Sequence, residues 1–253
     1  MPHPTPAPDG TTSPLQDPDW QKQITVLIKT FERPELLARS IASIRRFYPD
    51  LRIAVADDSR RPRPPKDVDL FLPLPYDVGV SAGRNALLDR IETPYLLLSD
   101  DDNEFTADTR LEAMRDLLLT TPFNLVAGRR RDIFRGVFEQ KNRMLYILKN
   151  AHRGMLDGHP RFEFVHNFFL APTDIVRAVR WNDALKLCEH IDFFLRGTSR
   201  FIATEIDVRF AHHHGLNRPR QPWEGIRRRI TRTHQRMAAH SIGFSRRIEC
   251  TFP

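Results

Sequence analysis

ITVLIKTFERPELLARSIASIRRFYPDLRIAVADDS, residues 24–59, decides the fold. It opens on an unbroken β-branched and aliphatic run, ITVLIK, which is the composition of a strand buried on both faces. Thr30-Phe31-Glu32-Arg33 ends that run, and Pro34 stands where the first turn of a helix tolerates proline. A helix is therefore expected from Pro34 to about Phe47. RIAVAD, Arg52–Asp57, reads as a second buried strand and delivers the acidic turn Asp57-Asp58-Ser59 at its end.

The alternation continues outward from this unit. A proline-rich loop at 61–65 precedes a short strand at Asp69–Leu72, a helix from Ser81, a strand at Tyr95–Ser99, a helix from about Asp108 to Thr120 and a strand at Leu125–Arg129. Strands and helices that alternate over short connections make an α/β fold with a mostly parallel central sheet flanked by helices. Such sheets bind ligands at the carboxyl ends of their strands. The later chain is less regular: one strand is expected over Phe162–Ala171, helices near 173–180 and 189–196, and a strand near 205–211 that runs into His212, His213 and His214.

Three regions divide the chain. Residues 1–20, rich in Pro, Ser, Thr and Asp without apolar periodicity, read as a disordered leader with no secretory character. Residues 21–214 are expected to form one α/β domain, and 215–253 a basic helical tail. The tail holds nine arginines against Glu224 and Glu249, which is the whole of the net charge of +7; the rest of the 253-residue chain is neutral. A neutral body is a poor nucleic-acid surface, so no nucleic-acid partner is expected. No apolar run approaches the roughly 18 residues of a membrane span. Two cysteines, Cys188 and Cys250, lack the spacing of a zinc pair or a redox dithiol. Together these features point to the cytosol.

Chemistry concentrates at the strand ends. Asp100-Asp101-Asp102 directly follows the apolar strand YLLLS, so three carboxylates are held together at the rim of a buried strand. Their mutual repulsion calls for a cation. Oxygen-rich sites suit Mn²⁺ or Mg²⁺, which would steady a departing nucleoside diphosphate. At a neighbouring strand end, a carboxylate of Asp57 or Asp58 can accept the imide N–H of a uracil. Gly79-Val80-Ser81-Ala82-Gly83-Arg84-Asn85 combines glycines, a helix start and an arginine, a combination suited to a diphosphate.

The order of these pieces resembles the inverting GT-A glycosyltransferases, and within them the β-1,4-N-acetylgalactosaminyltransferases that build gangliosides and related glycans. The resemblance spans residues 24–212 and rests on six collinear segments: the opening stretch, SAGRN (81–85), PYLLLSDDDNEFTADTRLE (94–112), VHNFFLAPTDIV (165–176), HIDFFLRG (190–197) and DVRFAH (207–212). It implies a GT-A fold and transfer of a sugar, an N-acetylhexosamine by preference, from a UDP-sugar to a hydroxyl of a glycan or glycolipid. It implies that Thr30, Arg33 and Asp57 or Asp58 line the uridine pocket, with Arg84 near the diphosphate. Asp100 would face the ribose and the metal, Asp102 would bind the metal, and His212 would complete the metal site. Asp192 falls where the branch has glutamate and is the expected general base. The Glu-Asp pair of many inverting relatives maps instead onto Glu189 and His190, which keeps Glu189 as a second candidate. Golgi anchors and a disulfide pattern mark the ganglioside branch; their absence here implies a cytosolic, bacterial relative whose acceptor does not transfer from that branch.

In the tail, Trp223, Ile226, Ile230 and Met237 recur at helical intervals among arginines. Residues 218–247 are thus expected to touch an anionic membrane on its inner face. Two rival readings are a sugar-phosphate nucleotidyltransferase, which would need a glycine-rich loop where this chain has TFERP, and a basic binding protein without catalysis, which leaves the ordered acids unexplained.

Overall fold

The computed structural model describes residues 17–134, 137–139, 152–186 and 189–213. Its first half repeats the alternation read from the sequence: β1 (Ile24–Thr30), α1 (Pro34–Phe47), β2 (Arg52–Asp57), β3 (Leu70–Pro73), α2 (Val80–Leu88) and β4 (Tyr95–Asp100). Then follow β5 (Asn103–Glu104), α3 (Leu111–Thr120), β6 (Leu125–Phe134), β7 (Val137–Glu139), β8 (His152–Leu156) and β9 (His159–Phe162). The last elements are β10 (Phe169–Pro172), α4 (Thr173–Arg177), α5 (Glu189–Arg196) and β11 (Ala203–His213).

One sheet runs through the molecule in the order β3-β2-β1-β4-β10-β6-β11-β9-β8, with β5 beside β11 and β7 beside β6. The strands β3, β2, β1 and β4 are mutually parallel, β10 runs against both of its neighbours, and β6 and β11 are again parallel. Every residue of β1 is buried. Val26 and Ile28 face a core shared with α1 and α3, while Leu27 faces the opposite core with Leu87 and Leu88 of α2 and Phe193 and Phe194 of α5. Helices on both faces are why ITVLIK is apolar at every position but Thr25 and Lys29.

Two expectations require correction. Phe162–Ala171 is not one strand: β9 ends at Phe162 and β10 begins at Phe169. β9 lies outside β11 and β10 inside β6, so the chain must cross two strands, and residues 163–168 are spent on that crossing. Residues 17–20, counted with the leader, are part of the described fold. Trp20 belongs to a short 3-10 helix, Trp20–Gln23, and its ring meets Tyr48 edge-on at 6.0 Å while Arg115 lies 4.8 Å over it. The hairpin β8–β9 was not expected, although Asp157-Gly158 is a legible turn signal; their φ values of 49° and 76° are the paired positive angles such a tight turn needs. The basic tail lies outside the described residues.

Candidate active site at the carboxyl ends of the parallel strands

The parallel register places Thr30, Asp57 and Asp100 at neighbouring strand ends. A cleft of about 670 Å³ opens beside them, between α1 and the loop after β2, with Thr30, Arg33, Asp57, Ser59 and Arg60 among its lining residues. The β1–α1 turn is clipped to the end of β2. Glu32, at φ 55°, donates its backbone N–H to Ser59 Oγ (2.7 Å) and accepts the Arg60 N–H on its carboxylate (2.8 Å).

The two acids after β2 part company. Asp57 stays on the cleft wall, with one carboxylate oxygen taking the Ser59 N–H at 2.8 Å. Asp58 is fully buried, where it pairs with Lys29 and accepts the Gly79 N–H at 2.9 Å. Gly79 itself has φ +100°, and a Cβ there would come within 2.7 Å of the Lys186 Cα. Of the alternatives left open, Asp57 is the residue on the cleft. Lys29, a buried cation in an apolar strand, was the missed signal that one of the two acids is structural.

The acidic triplet is neutralised by arginines. Asp101 is fully buried and accepts the Thr30 hydroxyl at 2.6 Å and Arg33 Nε at 3.1 Å. Arg33 Nη1 donates to Asp102 at 2.7 Å. The cation that repulsion demanded is thus already supplied by side chains, and Arg33 reaches the triplet as well as the cleft. Burial opposes the charge on Arg33, but Asp101, Asp102 and Asp100 outweigh it and hold the guanidinium above its ordinary value. Burial also works against the Asp102 anion, yet Arg33 and His212 keep its carboxyl below the usual range. Asp100 is pushed up to about 6, chiefly by burial, with Asp102, Glu189 and Asp101 adding to it against Arg84.

Arg84 is not exposed to the cleft. Its side chain is buried, with Nη2 donating to Asp100 at 2.8 Å and Nη1 to Glu189 at 2.6 Å. The rest of SAGRN fastens onto the segment before α5: Ser81 Oγ bonds to the Leu185 carbonyl at 2.6 Å and Asn85 to the Trp181 carbonyl at 2.7 Å. The motif therefore ties the acidic strand end to helix α5.

His212 reaches the site through strand pairing, because β11 lies antiparallel to β5 with His212 opposite Asn103. Its Nδ1 is 3.2 Å from Asn103 Oδ1 and 3.4 Å from Asp102 Oδ1, and that carboxylate oxygen is buried without a hydrogen bond. A hard oxygen facing an imidazole nitrogen suits a divalent cation. Among the described residues no group of three or more His, Cys, Asp or Glu is placed to hold a metal ion. Asp102 and His212 would supply only two protein donors, so a metal held there would take its remaining ligands from phosphates, and His212 would first have to release Asn103 Oδ1.

On α5, Asp192 is 1% exposed and its carboxylate takes Arg196 Nε at 2.8 Å. The other arms of Arg196 hold the carbonyls of Val179 and Arg180, so this pair anchors the helix to the turn after α4. Between the two acids, His190 bonds through Nδ1 to Asn167 Oδ1, and its Nε2 is buried with no partner. A second imidazole, His166, bonds to Glu205 at 2.6 Å. The sequence reading missed Asn167, His166 and Glu205; the polar pair His166-Asn167 inside the apolar run FEFVHNFFLA was the signal available.

A mostly parallel sheet with helices on both faces, a cleft at its carboxyl edge and a strand-end acid beside an imidazole define the GT-A glycosyltransferase fold. The solved structures agree: S. aureus TarS 1-349 in complex with UDP-GlcNAc is 13% identical with a TM-score of 0.59, covering 78% of this chain and 59% of that one. The mannosyltransferase PcManGT from Pyrobaculum calidifontis, in complex with GDP-Man and Mn²⁺, is 14% identical with a TM-score of 0.60, covering 92% and 66%.

The chain belongs to glycosyl transferase family 2, whose model matches residues 25–180. It is 39% identical over 191 residues to beta-1,4 N-acetylgalactosaminyltransferase 1 of Rattus norvegicus, covering 69% of this chain and 36% of the relative. It is 33% identical over 224 residues to beta-1,4 N-acetylgalactosaminyltransferase 2 of Mus musculus, covering 84% and 44%. The chain thus spans less than half the length of these relatives, which are animal proteins.

Proposed function

We propose that this chain transfers a sugar, an N-acetylhexosamine by preference, from a UDP-sugar to a hydroxyl of a glycan or glycolipid, with inversion at the anomeric carbon. The observation that carries the proposal is the unbonded, buried Asp102 Oδ1 facing His212 Nδ1 at 3.4 Å, one strand from a cleft walled by Asp57 and Arg33. Asp102 and His212 would hold Mn²⁺ or Mg²⁺, with Asp100 beside them, and the metal when bound would offset the charge gathering on the leaving diphosphate. Asp57 would accept the uracil imide N–H, and Thr30 would fix Asp101 at the cleft floor. Arg33, charged and free to exchange carboxylate for phosphate, would move from Asp101 and Asp102 to the diphosphate as the metal enters. Asp58 and Arg84 would hold the donor side rigid. Helix α5, with Glu189 and Asp192, would supply the groups that manage the acceptor's proton.

The activity for which the relatives are named and the UDP-GlcNAc held by a structural neighbour support the choice of donor. We place the chain in the cytosol, in contact with anionic lipid through residues 218–247; flotation of full-length protein with anionic vesicles, absent when 215–253 are removed, would bear this out. Among the described residues no helix is long and apolar enough to cross a membrane. The decisive test is calorimetry of UDP with and without Mn²⁺, followed by UDP release from UDP-N-acetylgalactosamine and UDP-N-acetylglucosamine. UDP binding that needs Mn²⁺ and is lost in Asp102→Asn is expected. Metal-independent binding, or none, would overturn the proposal.

A further inference from the structure

We infer that the outer part of the cleft, beyond the donor residues, takes the anionic head of a membrane phospholipid, with α1 as its apolar floor and the loop after β2 as its cationic rim. Thr30, Arg33 and Asp57 line only one end of the opening of about 670 Å³. The rest is walled by Pro34, Leu37, Ala38, Ile41 and Ala42 of α1 and by residues of the loop up to Asp67. This site is additional to the transfer reaction and does not require it.

The cleft is held open from both ends. β2 and β3 are parallel neighbours, and a crossover between such strands is usually a helix. Here residues 58–69 make the crossing without one. Pro62, Pro64 and Pro65 have no N–H to donate, which favours an extended path. Glu32 fixes the near end through Ser59 and Arg60. Arg45, in the last turn of α1, fixes the far end by donating to the Asp67 carbonyl at 3.0 Å and the Asp69 carboxylate at 2.8 Å. Between these clamps the loop stands off the helix. The α1 residues on the floor fall at i, i+3, i+4, i+7 and i+8, so they form one apolar face, and Ala38 and Ala42 on it are exposed.

Charge names the occupant. Arg61, Arg63 and Lys66 line the cleft and are exposed, and among the described residues none of the three has a hydrogen bond or ion pair. The other cations nearby are engaged: Arg33 with Asp101 and Asp102, Arg45 as a clamp, and Arg60 over the Tyr76 ring at 4.7 Å. Of the three acids in the wall, Glu32 and Asp57 already accept backbone N–H groups, which leaves Asp67 at the far end. Three uncommitted cations above an apolar floor complement a phosphate joined to an acyl chain, because each cation attracts anionic lipid and each buried methylene adds to the binding. The floor is about 12 Å long, which suits a short length of acyl chain but only about two turns of a peptide helix. A nucleic acid would need many more phosphate contacts than one short loop offers.

The experiment is calorimetry of full-length protein with dihexanoyl phosphatidate, a soluble anionic lipid, beside dihexanoyl phosphatidylcholine and inorganic phosphate. Phosphatidate is expected to bind about tenfold tighter than inorganic phosphate or better, since only the lipid reaches the floor, and phosphatidylcholine is expected not to bind. Arg61→Glu combined with Arg63→Glu is expected to weaken phosphatidate about tenfold or more and to flatten its dependence on salt. Ala38→Phe combined with Ala42→Phe, at exposed helix positions, fills the floor; it is expected to weaken phosphatidate about fivefold or more and to leave inorganic phosphate unchanged. None of these readouts depends on turnover. Absence of phosphatidate binding, or equal affinities for phosphatidate and inorganic phosphate, would overturn the inference. Undiminished binding in the Arg61 and Arg63 variant would place the lipid on the basic tail instead, and tighter binding of a hexaglutamate peptide would replace the lipid with an acidic protein partner; either result would overturn it too.

Discussion

In the parallel half of the sheet, β3-β2-β1-β4, the polar locks close over shorter stretches of chain: the buried Lys29–Asp58 pair spans 29 residues and the Thr30–Asp101 bond 71. In the mixed half, β10-β6-β11-β9-β8, function-bearing groups arrive from far away. His212 meets Asn103 across 109 residues, and Glu189 meets Arg84 across 105. The difference shows how labour is divided. The parallel half builds a donor cleft from local strand-turn-helix units, while the mixed half brings an imidazole and a helix to its rim. Arg84 is the joint between them, since it touches one acid from each half.

Breaking that joint should have the largest effect. Arg84→Met leaves Asp100 and Glu189 without their shared cation, and loss of one partner of a buried pair costs about 3–5 kcal/mol. Urea unfolding should register at least that loss. Retention of parental stability would mean that the two halves do not depend on Arg84.

The parallel half can be broken by itself. Lys29→Met strands the fully buried Asp58 carboxylate, with an expected loss of about 3 kcal/mol by the same reasoning. Adding Asp58→Leu should recover part of it, because replacing both charges removes the uncompensated anion. No recovery in the double variant would show that the Asp58 bond to the Gly79 N–H matters more than the ion pair.

A pH series sharpens the contrast from the mixed side. His190 titrates near 4 in the folded protein against 6.5 in an unfolded chain. Above pH 6.5 neither state is protonated. As pH falls through this window the unfolded chain binds a proton that the folded one refuses, so stability is lost with falling pH. Asp100, pushed up to about 6, works in the opposite sense. The difference between parent and His190→Gln isolates the histidine: the variant should gain on the parent by about 3 kcal/mol between pH 6.5 and 4. A difference independent of pH would contradict a buried neutral imidazole.

The smallest effect belongs to the outer hairpin. Gly158 has φ 76° with open space around it, so Gly158→Ala should cost only about 1 kcal/mol, from backbone strain alone. Faster amide exchange confined to β8 and β9 would show that this edge is not coupled to the cleft.

Much of the parallel half could be read directly. ITVLIK and RIAVAD are apolar because helices cover both faces of their sheet, and Pro34 marks the start of α1 as expected. The acids at the strand ends were legible for the same reason, since a carboxylate after a buried run has nowhere to sit but the rim. What escaped was partnership. Asp57 and Asp58 are equivalent in the sequence, and only the position of Lys29 beneath one of them separates the cleft residue from the core residue. Arg84 looks like a phosphate ligand when α2 is read alone, and becomes a bridge once α5 is set against it.

The sequence by itself determined the alternation of strands and helices, the parallel sheet and the edge at which chemistry must occur, because those follow from local periodicity and from where apolar runs stop. Tertiary structure alone decided which charges neutralise one another, which imidazole is left with an open nitrogen, and that β10 enters the sheet against its neighbours. Those outcomes depend on contacts between residues about a hundred positions apart, for example Arg84 with Glu189 and Asn103 with His212, and no local pattern records which of many like-charged or polar side chains will meet.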